Sequence, residues 1–262
     1  MKMKKLIATI LAFSVMPAFA MTADEIMARV DANEAPTSLK SNMTMVLVDS
    51  KGKQRVRSMQ SIKADLGDYD ASLMFFLEPS DVKGTGFLMM DYDAASKDDD
   101  QWMFLPSLNK AKRIASSDKT GSFMGSDFSY ADMSKRNLEE WTYTLIKEDE
   151  VNGIKVWIVE SVPISNAVIE KSGYVRTIAY VRQDNFQPIR GINYLEKNGE
   201  IKLLNVAESK EFDGYWINTE VQMISQKNGT TTHRTLMKTS NIEVNVDVNQ
   251  NDFTLNRLEQ GL

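Results

Sequence analysis

The chain holds one histidine, His233, and no cysteine. A hydrolase built on His233 needs a nucleophile and an orienting acid, and Ser126 with the adjacent Asp127 are the pair to test. No Gly-x-Ser-x-Gly elbow is present. His233 follows an Asn-Gly turn in the polar run Thr230-Thr231-Thr232-His233-Arg234, where it reads as a surface histidine. The absence of cysteine excludes disulfides, thiolate catalysis, cysteine zinc sites and iron–sulfur clusters. The acidic run from Asp91 to Asp100 invites a calcium loop, but Ala95, Ser96 and Trp102 fall where an EF-hand needs a ligand, a glycine and a bidentate acid. That run reads instead as a solvated hairpin tip. Gly84-Thr85-Gly86 lacks the third glycine and the following helix of a phosphate loop. No catalytic residue, metal site or cofactor is therefore expected, and the chain is not expected to be an enzyme.

Charge narrows the partners. There are 31 basic and 36 acidic residues, a formal net charge of −5. Lys2, Lys4 and Lys5 lie in the first twenty residues, which contain no acid, so the remainder carries −8. That balance argues against a nucleic-acid partner. Residues 1–20 read as a cleaved signal peptide: a basic start, an apolar run from Leu6 to Met16, Pro17, and the small-x-small motif Ala18-Phe19-Ala20. The run is too short to span about 30 Å of hydrocarbon. With no cysteine to acylate, the expectation is a soluble, unlipidated periplasmic monomer, residues 21–262 forming a single domain.

The elements that must position any site are mostly strands. Thr22-Ala23-Asp24-Glu25 fits a capping box, and Ala23, Ile26, Met27 and Val30 share one helical face. Beyond Pro36, turn signals recur roughly every 10–14 residues, the rhythm of an antiparallel meander. Asn152-Gly153, Asn198-Gly199, Asp213-Gly214 and Asn228-Gly229 are hairpin turns. About eleven strands are expected, and open sheets of that size curl or split. Trp157 is placed in a core strand. The interruption is residues 116–137, rich in Ser, Gly and Asp, read as a long loop with a short helix near 129–136. Loops this long are often functional.

Softness stands out. Thirteen of the sixteen Met residues follow the first twenty residues, several beside aromatics: Met89 near Phe87, Met103 between Trp102 and Phe104, Met124 after Phe123. Met is flexible and polarizable, and suits surfaces that accept varied apolar partners as well as ordinary cores. Burying a 16-carbon chain at about 0.8 kcal/mol per methylene amounts to roughly 12 kcal/mol. A protein carrying lipid through water must offer comparable apolar area.

Residues 75–133 carry a recognisable pattern: Asp81-Val82-Lys83-Gly84-Thr85-Gly86-Phe87-Leu88, then Gln101-Trp102-Met103-Phe104-Leu105-Pro106, Arg113-Ile114, and Gly121-Ser122-Phe123-Met124-Gly125-Ser126-Asp127-Phe128. The combination resembles the outer membrane lipoprotein-sorting protein family, which is LolA-like and distinct from the founding LolA chaperone and its LolB receptor. The resemblance implies a mainly β fold with a few helices: a LolA/LolB-like curved antiparallel sheet, an unclosed half-barrel with helices plugging its concave side. It implies carriage of lipid or lipoprotein acyl chains toward the outer membrane, with an RND-type inner-membrane exporter and an outer-membrane acceptor as partners. The residue 123–127 stretch has no obvious counterpart in the founding chaperone.

On this reading Phe87, Met89, Trp102, Phe104, Phe123, Met124 and Phe128 line or lid an apolar cavity. Arg113, Gly125, Ser126 and Asp127 structure the loop, with Asp127 capping the short helix and Arg113 pairing with it. A polar substitution at Phe123 or Met124 is then expected to empty the cavity more than it unfolds the chain. The alternatives are an accessory protein docking on the exporter without carrying cargo, and the hydrolase of Ser126, Asp127 and His233.

Overall fold

The structure, a computed structural model, describes residues 21–93, 97–196 and 199–261. The expected export signal at residues 1–20 lies outside them. Helix α1 (Ala23–Asp31) starts at the expected capping box: Glu25 N–H donates to Thr22 Oγ1 at 3.2 Å, and Thr22 N–H to Glu25 Oε2 at 2.8 Å. The helix buries Ala23, Ile26 and Met27.

Six strands follow: β1 (Ser38–Asp49), β2 (Gln54–Asp65), β3 (Tyr69–Glu78), β4 (Gly86–Tyr92), β5 (Asp100–Leu105) and β6 (Lys110–Arg113). After residues 114–140 come β7 (Trp141–Val151) and β8 (Ile154–Pro163), then helix α2 (Asn166–Ser172). The last strands are β9 (Tyr174–Arg182), β10 (Pro188–Leu195), β11 (Glu200–Phe212), β12 (Tyr215–Lys227) and β13 (Thr230–Val244), with helix α3 (Leu255–Gln260) behind them. The count is thirteen rather than about eleven, and the shortest strand is the four-residue, basic β6 at the sheet edge. At Asn152-Gly153, Asp213-Gly214 and Asn228-Gly229 both residues have positive φ, the conformation of a type I′ hairpin turn.

All thirteen strands form one sheet in the order β6-β5-β4-β3-β2-β1-β13-β12-β11-β10-β9-β8-β7. The pairs between these neighbours are antiparallel. Strand β1 pairs with β13, setting Met45 opposite Met237, so the meander has two arms that meet near the chain ends. The free edges are β6 and β7, consecutive in sequence. The residues joining them, 114–140, must therefore run from one edge to the other across the inner face.

Alternation assigns the faces. Inward from β1 to β4 point Met45, Leu47, Met59, Met74, Phe76, Phe87 and Met89, and from the other arm Met223 and Met237 join them in one buried cluster with Phe123 and Phe128. Helix α1 packs on the inner face of the far arm, where Ile26 and Met27 meet Trp157, Val159 and Val181. Trp157 is thus a core residue, as the sequence predicts. Leu73, Phe75, Leu88, Phe104 and Ala111 point outward and are covered by Phe253 and Leu258 of the C-terminal segment. The inner plug is α1 and the 114–140 segment, while α3 lies on the outer face.

Candidate functional site

The 114–140 segment is stitched to both arms. Phe123 is 0% exposed. Its ring sits 5.2 Å from Phe87, 6.2 Å from Phe76 and 5.6 Å from Tyr130. On the β1–β6 arm, the Arg57 guanidinium donates to the Met124 carbonyl. Gln101 Nε2 donates to the Tyr130 carbonyl at 2.8 Å, and the Lys135 N–H to Asp91 Oδ2 at 2.6 Å. On the other arm, Tyr174 OH donates to Asp132 Oδ1 at 2.7 Å, and Lys202 Nζ lies 3.7 Å from Asp132 Oδ2.

The tightest fastening is Asp127, 5% exposed. Its Oδ1 accepts from Ser225 Oγ at 2.5 Å, and its Oδ2 from Thr235 Oγ1 and His233 Nδ1, each at 2.6 Å. Asp127 N–H donates back to Thr235 Oγ1 at 2.9 Å.

Several expectations need correction. The short helix near 129–136 is a single 3-10 turn at Ala131–Met133. Its start is closed by Ser129 and Asp132 through reciprocal side-chain to N–H bonds, leaving Asp127 free for the sheet. Arg113 does not reach Asp127: it sits on edge strand β6 and its Nε donates to Asp100 at 2.7 Å across the neighbouring strand. His233 is half-buried rather than a plain surface residue, because the Asp127 carboxylate draws it inward. Asp91, placed at a solvated tip, belongs to β4 and points inward at 8% exposure.

The proposed lining residues divide by strand parity. Phe87, Met89, Phe123 and Phe128 are together on the inner face, with Met124 packed against them. Phe104 and Trp102 lie on the outer face against Phe253 and Leu258, since residues 102 and 104 alternate out where Gln101 points in. Gly125 turns the loop with φ 74°, and Ser126 Oγ donates to the Phe128 carbonyl at 3.3 Å. The hydrolase constellation is not assembled: Ser126 is turned to the backbone, and the serine beside His233 is Ser225, bonded to the acid rather than to the imidazole. Among the described residues no group of three or more His, Asp or Glu side chains is arranged to hold a metal ion.

Unfilled space lies beside the plug. A cavity of about 350 Å³ is bounded by Met27 of α1, by Phe128, Ala131 and Arg136 of the central segment, and by Trp141, Leu204 and Met223 of the sheet. A second volume of about 570 Å³ adjoins it through shared Ser134, Lys135 and Pro188, and reaches Leu39 and Met89. Both fall within the roughly 300–1,000 Å³ range of small-molecule sites. Met27, Trp141, Leu204 and Met223 are lining residues that sequence reasoning missed. The usable signals are the apolar helix face for Met27 and strand parity for Trp141, Leu204 and Met223, which become informative only once the inner face is known.

A charged pocket of about 360 Å³ adjoins both volumes, lined by Asp31, Asp70, Asp91, Asp99, Lys135 and Lys171, among others. Burial pushes the Asp91 carboxyl up to about 7; the Lys135 N–H opposes this, and Asp99 and Asp70 add to it. A carboxyl that is more basic folded than unfolded stabilises the fold fully below its unfolded value, and that contribution is lost as pH rises through the folded value. The melting temperature should therefore fall between pH 5 and pH 8. Asp91→Asn keeps an acceptor for Lys135 and should flatten that fall, which thermal melts of both proteins at the two pH values would read. An unchanged slope in the variant would remove Asp91 as its source.

Comparison with known proteins agrees with this architecture. A family model described only as an uncharacterized protein matches residues 68–260. No curated protein matches the chain. Among solved structures, an outer membrane lipoprotein-sorting protein domain from Vibrio parahaemolyticus is 30% identical with a TM-score of 0.81, covering 90% of this chain and 98% of that one. A DUF1329 family protein from Desulfovibrio piger is 28% identical with a TM-score of 0.82, covering 90% and 97%. A LolA superfamily protein from Nitrosomonas europaea, 18% identical over 90% and 98% with a TM-score of 0.67, shares the fold. A thirteen-stranded open sheet plugged from within, matched over nine-tenths of the chain, places this protein in the outer membrane lipoprotein-sorting protein family, with a LolA-like fold.

Proposed function

We propose that the protein is a periplasmic carrier that holds lipid or lipoprotein acyl chains beside its central segment for transfer toward the outer membrane. The observation that carries this reading is the cavity of about 350 Å³ against Met27, Phe128, Trp141, Leu204 and Met223, which the protein's own side chains leave unfilled. Family membership supports it, and so does the chemistry of the wall: soft Met and aromatic surfaces accept chains of varied length. Among the described residues no helix is long and apolar enough to cross a membrane. An RND-type exporter as donor and an outer-membrane acceptor belong to the same proposal.

Native mass spectrometry of the protein isolated from its own periplasm should show bound lipid. Leu204→Trp places an indole in the cavity and should weaken acyl-chain binding by about tenfold or more, one lost chain contact of roughly 1.4 kcal/mol being enough, while the fold persists. A clean apo mass from the wild-type protein would favour docking on an exporter without cargo. Unchanged binding by Leu204→Trp would move the site elsewhere.

A further inference from the structure

The cavity wall is not uniformly apolar. It carries five basic and three acidic side chains, in a chain whose own net charge is −5. Three of the basic groups, Arg136, Lys119 and Arg190, have no acid partner among the described residues, and Arg190 lies 5.5 Å over the Tyr180 ring. Arg136 makes one side-chain hydrogen bond, Nη1 to Thr177 Oγ1 at 3.1 Å, and lies 4.1 Å over the Trp141 ring. Lys119, 3% exposed, donates to the Asp99 carbonyl at 2.8 Å. Neither forms an ion pair among the described residues. The three acids are occupied elsewhere: Asp132 takes Tyr174, Ser129 and Lys202, Glu140 takes Lys171, and Asp99 Oδ1 accepts from the Tyr92 N–H at 3.3 Å. A guanidinium carries five N–H donors in a planar fork matched to an oxyanion. Among the described residues only one of those donors is used, and the buried side-chain atoms without a partner, Ser61 Oγ, Gln101 Oε1 and Ser161 Oγ, do not include a nitrogen of Arg136. Its remaining donors are therefore open to the cavity that it lines.

We propose that the cavity takes an anionic amphiphile: a single acyl chain against Met27, Leu204 and Met223, with its terminal oxyanion, carboxylate or phosphate monoester, on Arg136 and Lys119. Trp141 holds the guanidinium plane from one side, so the fork is set before the ligand arrives. Burial destabilises the unpaired Arg136 cation, which an incoming anion relieves. The proposal rests on the carrier reading and adds the charge of the head group to it.

The test uses three probes with one tail: palmitate, hexadecyl phosphate and hexadecanol. The wild-type protein should bind at least one of the two anions about tenfold more tightly than the alcohol, the ratio that one charge-assisted contact supplies. Whichever anion is preferred identifies the head group. Arg136→Gln should erase the preference while keeping hexadecanol affinity, and Arg136→Lys should retain part of it. The wild-type comparison needs no variant, so a folding failure of Arg136→Gln does not blunt it. Equal binding of all three probes overturns the head-group assignment and leaves the carrier reading standing. Displacement of palmitate by inorganic phosphate at similar concentration overturns it in favour of a free anion. Binding of no probe removes both readings.

Discussion

Phe123→Ala should cost about 3–5 kcal/mol, the usual loss for truncating a fully buried Phe. Against a total stability of about 5–15 kcal/mol, that is enough to lower the melting temperature sharply, and Phe123→Asp should leave no folded protein at all. This reverses the expectation of a detachable lid, under which a polar substitution empties the cavity and spares the fold. The reason is geometric. The Phe123 ring is sealed among Phe76, Phe87 and Tyr130, inside the same cluster as Met45 and Met59 of the first strands. Met124, its neighbour, is only half-buried, and it is the Met124 carbonyl that receives Arg57. Met124→Ala should therefore cost far less, because the backbone carbonyl is unchanged. Urea denaturation of the two alanine variants separates the cases. Similar small losses at both positions would restore the lid.

Local chemistry made much of the fold legible. The capping box at Thr22, the Asn-Gly and Asp-Gly hairpins and the turn-bounded runs are short-range signals, and each gave its element. The alternation that puts Met43, Met45 and Leu47 on one face of β1 is equally local. Which side is the inside is a long-range fact, fixed by the β1–β13 pairing and by where the 114–140 segment lies. That is why local sequence groups Trp102 and Phe104, aromatic and next to Met103, with Phe123 although they lie on the opposite face. The partners of Asp127 illustrate the same limit: Ser225, His233 and Thr235 are 98 to 108 residues away, beyond any spacing rule. Arg136 gave no signal either, since a lone arginine in a polar loop is unremarkable until the loop is seen to be inside the sheet.

Asp127→Ala should be the second large loss, about 3–5 kcal/mol, since it strands the buried donors that the carboxylate collects at about 1–3 kcal/mol each. The carboxylate collects three donors, and Thr235 has no access to water to replace it. Asp127→Asn keeps one acceptor and can donate its amide to Ser225, whose oxygen accepts, so it should lose about half as much on the scale of about 1–3 kcal/mol per stranded group. His233→Ala removes a single donor from a half-buried position and should cost only about 1 kcal/mol. Asp127 and His233 share one contact, so the double alanine variant should lose less than the sum of the single losses. Chemical denaturation of the four variants gives this ranking, and hydrogen exchange should show loosening confined to residues 121–130 in Asp127→Asn. The same series separates the rival chemistries. A hydrolase needs the imidazole itself, so His233→Ala would abolish activity while the fold survives. A carrier needs only what the imidazole helps Asp127 hold, so His233→Ala should keep its lipid, and Asp127→Ala should lose lipid and stability together.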